Sequence, residues 1–242
     1  MRSVVLAIGA LLAVTAIALA QPLQDPPVEP PPPTPTAPAL PPSPSPTPTP
    51  TAAPGQPPDS AAVTWRHSRA LGRWFARGRL VRGVQLPALG EDYFTWDPVR
   101  NHIPNRGWRR WGTDRLVRTV LRVLHEYRTE HDGAQRVGIM DLSRPHGGTF
   151  GRRYGGLGHM SHQNGLDADI LYPRKDAREA RARRPSQVDR RLAQDLVDRF
   201  VAAGAIKVFV GPHLHLRGPR KVVVPLVYHD DHLHVRLRQR TS

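Results

Sequence analysis

Gly158-His159-Met160-Ser161-His162-Gln163-Asn164-Gly165-Leu166-Asp167-Ala168-Asp169-Ile170-Leu171-Tyr172 is the stretch around which the rest of the chain is read. Gly165 to Tyr172 alternates as a strand, and a strand shows alternate side chains to the same face, so Asp167 and Asp169 share one. Ser143 to Gly158, rich in Gly, Arg and Pro, is the loop that leads in. A second alternating run, His232 to Arg238, places His232, His234 and Arg236 on one side and Leu233, Val235 and Leu237 on the other.

Working outward, Arg136–Leu142, Ile206–Val210 and Val222–Val227 have the composition of strands. Leu116, Val117, Val120, Leu124 and Tyr127 recur at helical spacing, which predicts a helix over Thr113–Tyr127 with Thr113 or Asp114 near its cap. Leu192, Leu196, Val197, Phe200 and Val201 predict a second helix over Ser186–Ala203, stopped by Gly204. Trp65 to Trp111 is irregular: Trp65, Trp74, Phe75, Tyr93, Phe94, Trp96, Trp108 and Trp111 stand among turn residues as core or cleft wall. Arg174–Arg184 is a basic excursion without an apolar stripe, and the chain has no internal repeat. Few long helices among many short strands favour an α+β domain with a central antiparallel sheet flanked by helices.

The first 60 residues read differently. Arg2, the apolar run Val4–Ala18 and the closing Ala18-Leu19-Ala20 form a secretory signal over residues 1–20. The run is short for a span of about 20 residues, so no membrane span is expected in the mature chain. Residues 21–60 are Pro-rich, carry no Lys or Arg, and predict an extended spacer. The folded domain is then 61–242, large enough for a sizeable core. The absence of cysteine rules out disulfides and a lipoprotein anchor, leaving core burial or a bound metal to stabilise the domain. Setting aside Arg2, Asp25, Glu29 and Asp59 leaves 34 cations against 17 anions, a charge of about +17 that implies polyanionic surroundings. No nucleic-acid-binding motif accompanies that charge, and export places the partner outside the cytoplasm.

Seven of the twelve histidines cluster: His159 and His162; His213 and His215; His229, His232 and His234. A single His-x-His on a strand is an ordinary surface or core pattern. Joined to a loop histidine and a strand aspartate, it becomes the two-His, one-carboxylate composition of a catalytic zinc site with a position left for water. Such a metal lowers the pKa of water to about 7. Spacing alone leaves Asp167 and Asp169 as rivals for the carboxylate.

GHMSHQNGLDADI, with YHDDHLHVRLR near the C-terminus, resembles the penicillin-insensitive murein endopeptidases, within the wider lysostaphin, D-Ala-D-Ala peptidase and Hedgehog-like group of zinc folds. ARGRLVRGVQLP, WGTDRLVRTV, MDLSRPHGGTF and IKVFVGP extend the resemblance over roughly Leu71–Arg238. It implies zinc ligands at His162, Asp169 and His234, a catalytic role for His232 assisted by His229, and a cleft position for His159, a further candidate ligand for a second metal. His213 and His215 lie where the family carries no ligands and are read as surface histidines. Arg79 stands where relatives carry a cysteine.

The resemblance further implies a periplasmic hydrolase acting on peptide cross-links of peptidoglycan, of the D-alanyl–diaminopimelyl type. Two rival readings are a D-Ala-D-Ala-type carboxypeptidase and a non-catalytic wall-binding module. Carboxypeptidase relatives often place a glutamate shortly before the last histidine ligand, and Asp230-Asp231-His232-Leu233-His234 has none.

Overall fold

The computed structural model describes residues 57–73, 76–155 and 159–239. The signal segment, most of the Pro-rich spacer, Trp74, Phe75 and Gly158 lie outside the described residues. Ten strands and two helices follow in chain order: β1 (Arg69–Arg73), β2 (Ala76–Val81), β3 (Val84–Gln85), β4 (Tyr93–Thr95), β5 (Trp111–Gly112), α1 (Asp114–Glu130), β6 (Val137–Ile139), β7 (Asp167–Leu171), α2 (Arg190–Ala202), β8 (Ala205–Val210), β9 (Val223–Pro225) and β10 (His232–Leu237). No helix among the described residues is long and apolar enough to cross a membrane.

A six-stranded sheet, in the order β4-β6-β7-β10-β8-β9, organises this α+β fold. The sheet is antiparallel through its centre, as the scarcity of long helices suggests, but β4 runs parallel to β6 and β9 parallel to β8 at its two edges. Parallel neighbours need a crossover of a dozen or so residues, which α1 provides for one edge and the loop from Gly211 to Val222 for the other. Strand β4 was not legible in the sequence: it is three residues long, and all three are buried, so it shows no alternation. Two smaller antiparallel ribbons, β1-β2 and β3-β5, fill the irregular aromatic region.

Helix α1 starts where Thr113 accepts a hydrogen bond from the Leu116 backbone N–H at 3.1 Å, and α2 where Asp189 accepts from Arg191 and Leu192. Leu116, Val120 and Leu124 of α1 and Leu196, Val197 and Phe200 of α2 join Ala168, Ile170, Leu233 and Val235 in one apolar core. Burying each of the Leu, Val, Ile and Phe side chains among them contributes about 1.5–3 kcal/mol. Because strand side chains alternate, seating Ala168, Ile170, Leu233 and Val235 under the helices turns Asp167, Asp169, His234 and Arg236 to the opposite face.

The basic excursion is folded rather than detached. Ala182 is buried in the core, Arg174 forks onto Asp176, and Arg136 clamps Glu179 through two contacts of 2.7 Å. His213 and His215 are both exposed, as read from the sequence.

Candidate metal centre

Antiparallel pairing sets His234 of β10 directly opposite Asp169 of β7, and Arg236 opposite Asp167. His162 reaches the same point from the loop preceding β7. That loop is pinned to the start of α1, where Thr113 donates to the Gly165 carbonyl through both its backbone N–H (2.8 Å) and its hydroxyl (3.1 Å). Gly165 adopts φ +75°, and a Cβ there would lie 2.8 Å from a Leu80 methyl, so only glycine fits this turn.

Three atoms converge: His162 Nε2 lies 3.1 Å from Asp169 Oδ1 and 3.1 Å from His234 Nδ1, and His234 Nδ1 lies 2.9 Å from Asp169 Oδ1. The other nitrogen of each ring is already committed. His162 Nδ1–H donates to the Leu142 carbonyl at 2.5 Å, and His234 Nε2–H donates to Asp167 Oδ1 at 3.0 Å. Carbonyl and carboxylate oxygens only accept, so each neutral ring turns its lone pair to the common centre. Asp167 is in turn held by Arg236 Nη1 at 2.5 Å. It therefore lies behind His234, on the side of the ring away from the convergent atoms.

Three buried acceptors facing one another at this separation call for a positive charge. The second oxygen of Asp169, Oδ2, is buried with no hydrogen-bond partner. Edges near 3 Å also approach the separation of about 3.3 Å required by tetrahedral ligands at about 2.0–2.2 Å. The residues present thus fit a metal ion. Without one, a proton serves: burial would push His234 down, but its hydrogen bonds to Asp167 and Asp169 raise it to about 9. Burial likewise opposes ionisation of Asp169, yet the charges of His162 and His232 hold its carboxyl well below the usual range.

His159, His162 and Asp169 form a looser group, with ligand atoms within 4.8 Å of one another. His159 Nε2–H donates to Asp141 Oδ2 at 2.7 Å, which leaves Nδ1 facing Asp169 Oδ2 at 3.8 Å. The His162–Asp169–His234 triangle is tighter, and its three atoms point at one centre.

Asp141 had not been singled out in the sequence. It is fully buried, takes two hydrogen bonds from the fully buried Arg109, and is held ionised by that guanidinium and by His159 against the cost of burial. The only sequence signal is an acid inside the apolar run Val137–Leu142. Phe150 packs edge-on to His159 and His162, with ring centroids 5.0 and 6.2 Å away, and Trp108 stacks behind it.

His232 and His229 sit beside the triangle without joining it. His232 Nδ1–H donates to Asp231 Oδ1 at 2.6 Å, so the atom turned toward the centre is Nε2, 3.8 Å from Asp169 Oδ1. Burial would lower His232, but the charges of Asp169 and Asp231 raise it. His229 stacks at 4.8 Å from the His232 ring and is pushed down, by burial first and then by the charge of His232. The second oxygen of Asp231 lies 3.3 Å from Arg181 of the basic excursion.

Fold and site together define an α+β domain whose central sheet carries a buried cluster of histidines and carboxylates that could hold a metal ion. The family model described as penicillin-insensitive murein endopeptidase matches residues 70–209, and the chain belongs to that family. The matched stretch includes His159, His162, Asp167 and Asp169 but ends before His229, His232 and His234, which the pairing of β10 with β7 brings to the same place. A penicillin-insensitive murein endopeptidase of Salmonella heidelberg (strain SL476) is 28% identical over 191 residues, covering 68% of this chain and 64% of the relative. Those of Salmonella paratyphi B and Salmonella newport are 27% identical over the same shares. The chain thus spans about 64% of the length of these curated relatives.

Proposed function

We propose that this chain is a zinc-dependent murein endopeptidase of the periplasm, hydrolysing D-alanyl–diaminopimelyl cross-links in peptidoglycan. One observation carries this reading: the convergence of His162 Nε2, Asp169 Oδ1 and His234 Nδ1, all acceptors, on one buried point beside a histidine that remains outside the set. Family membership supports the substrate class, and the N-terminal signal pattern supports export.

His162, Asp169 and His234 would hold the zinc. When bound it polarises the scissile carbonyl and acidifies water. The Leu142 carbonyl and Asp167 lock the two rings in the tautomers that present lone pairs. His232 accepts a proton at Nε2 and returns it to the departing amine, while Asp231 holds Nδ1–H and fixes the ring. His229, stacked on His232 and less basic, orients it and lines the cleft. Phe150 packs edge-on against His159 and His162 and so helps to hold both rings in place.

The test is digestion of purified peptidoglycan with fragments read by mass spectrometry, before and after chelation and after zinc is restored. Zinc-dependent release of uncross-linked muropeptides with both peptide stems intact is expected. Release of free D-alanine alone would make the protein a carboxypeptidase instead.

A further inference from the structure

Beside the metal centre, on the far side of Asp231, lies a cavity of about 430 Å³ lined by Arg181, Ala182, Arg183, Arg184, Tyr228, Asp230 and Asp231. Its charges are unequally matched. Asp231 is shared between His232 and Arg181, and Asp230 accepts from the His213 ring at 2.6 Å and its backbone N–H at 3.2 Å. Both carboxylates are thus occupied. Arg183 and Arg184 are exposed, and neither guanidinium makes an ion pair among the described residues. Three arginines against two aspartates leave the lining with one excess positive charge.

The wall is also held in shape. Gln187 Oε1 accepts from the backbone N–H groups of both Arg183 and Arg184, at 2.7 and 3.2 Å, and Ala182 is anchored in the core. Tyr228 forms the opposite lip, 91% exposed and in the left-handed region at φ +65°. A planar guanidinium with free donors in a fixed concavity is suited to a carboxylate, which it can grip through two parallel hydrogen bonds.

We propose that this cavity is a substrate subsite in which Arg183 and Arg184 bind a free carboxylate of the peptide beside the bond to be cut. The inference rests on the endopeptidase reading above. Asp231 joins the two places: one oxygen braces His232, and the other faces the Arg181 wall. A carboxylate drawn into the cavity would therefore fix the register of the peptide relative to His232.

The test uses the full chain and two synthetic cross-linked peptides, identical except that the diaminopimelyl carboxylate next to the scissile amide is free in one and amidated in the other. Arg183→Gln/Arg184→Gln leaves Arg181, and so Asp231, untouched. Binding is measured by calorimetry on metal-free protein, and cleavage by steady-state kinetics on zinc-loaded protein. The wild type should bind the free acid about tenfold or more tightly than the amide, as charge-assisted pairing predicts. In the double variant that preference should collapse, appearing as a raised KM with kcat largely kept. No preference in the wild type, or an unchanged preference in the variant, overturns the proposal. If the wild type binds with the expected preference but cleaves neither peptide, the subsite stands and the endopeptidase reading fails.

Discussion

His234 and Asp169 face each other across the β10–β7 ladder, with His234 Nδ1 2.9 Å from Asp169 Oδ1 and Asp167 behind His234 at 3.0 Å. One histidine thus lies between two carboxylates, one on each side of its ring. The expected effects of removing them differ accordingly. Asp169→Ala should lose bound zinc, as should His162→Ala and His234→Ala. Asp167→Ala should keep the site but weaken zinc about 10–100-fold, the usual cost of losing a group that orients a ligand. Metal analysis after dialysis against graded zinc buffers checks this. Full zinc in Asp169→Ala with none in Asp167→Ala would reverse the assignment.

The metal-free site should compete for protons. His234 titrates at about 9, against an ordinary value of 6.5, so at neutral pH it carries a proton that zinc must displace. Zinc affinity should therefore rise with pH up to about 9, with release of about one proton on binding near pH 7.5. The same shift makes metal-free protein less stable as pH climbs: the contribution of the protonated ring is complete below 6.5 and lost on passing 9. Calorimetry in buffers of different ionisation enthalpy counts the proton, and a pH-independent zinc affinity would contradict the arrangement.

His232 should separate chemistry from metal binding. Its Nε2 stands 3.8 Å from Asp169 Oδ1, outside the convergent triangle. His232→Ala should retain near-stoichiometric zinc while losing about a hundred- to ten-thousand-fold in turnover. His234→Ala should lose both. A zinc-free His232→Ala beside a zinc-loaded His234→Ala would show the two roles to be exchanged.

The buried Arg109–Asp141 pair makes a prediction about stability. Both side chains are fully buried, so Asp141→Ala strands a guanidinium in the interior and should cost about 3–5 kcal/mol. It also removes the acceptor of His159 Nε2–H. Denaturant unfolding checks the first effect. Replacing both residues, as Arg109→Met/Asp141→Leu, should recover much of the loss, because no unpaired charge remains.

β-Lactams should leave the activity unchanged. The sequence contains no Ser-x-x-Lys motif to form an acyl-enzyme. Mass spectrometry after incubation with penicillin should find no adduct on any serine.

Local pattern was enough for much of this. Period-two alternation placed Asp167 with Asp169, and His232 with His234 and Arg236, on single strand faces, while period-3.6 spacing placed both helices within a few residues. Those rules concern neighbours in the chain, where backbone geometry alone dictates which side chains agree in direction. Pairing across 65 residues is a different matter. That His234 stands opposite Asp169 in the ladder, with Asp167 on the other side of its ring, depends on the register of β10 against β7, set by which apolar side chains the helices bury beneath them. Asp141 was not singled out in the sequence, because only packing brings Arg109 and His159 to it. The basic excursion, which shows no apolar stripe in the sequence, gains its place only when folding sets Arg181 against Asp231 and Ala182 in the core. The sequence by itself determined the donor types, the helices and the strand faces. Only the tertiary structure decided which donors share a centre and which residues brace them, because long-range register and burial are properties of the packed whole.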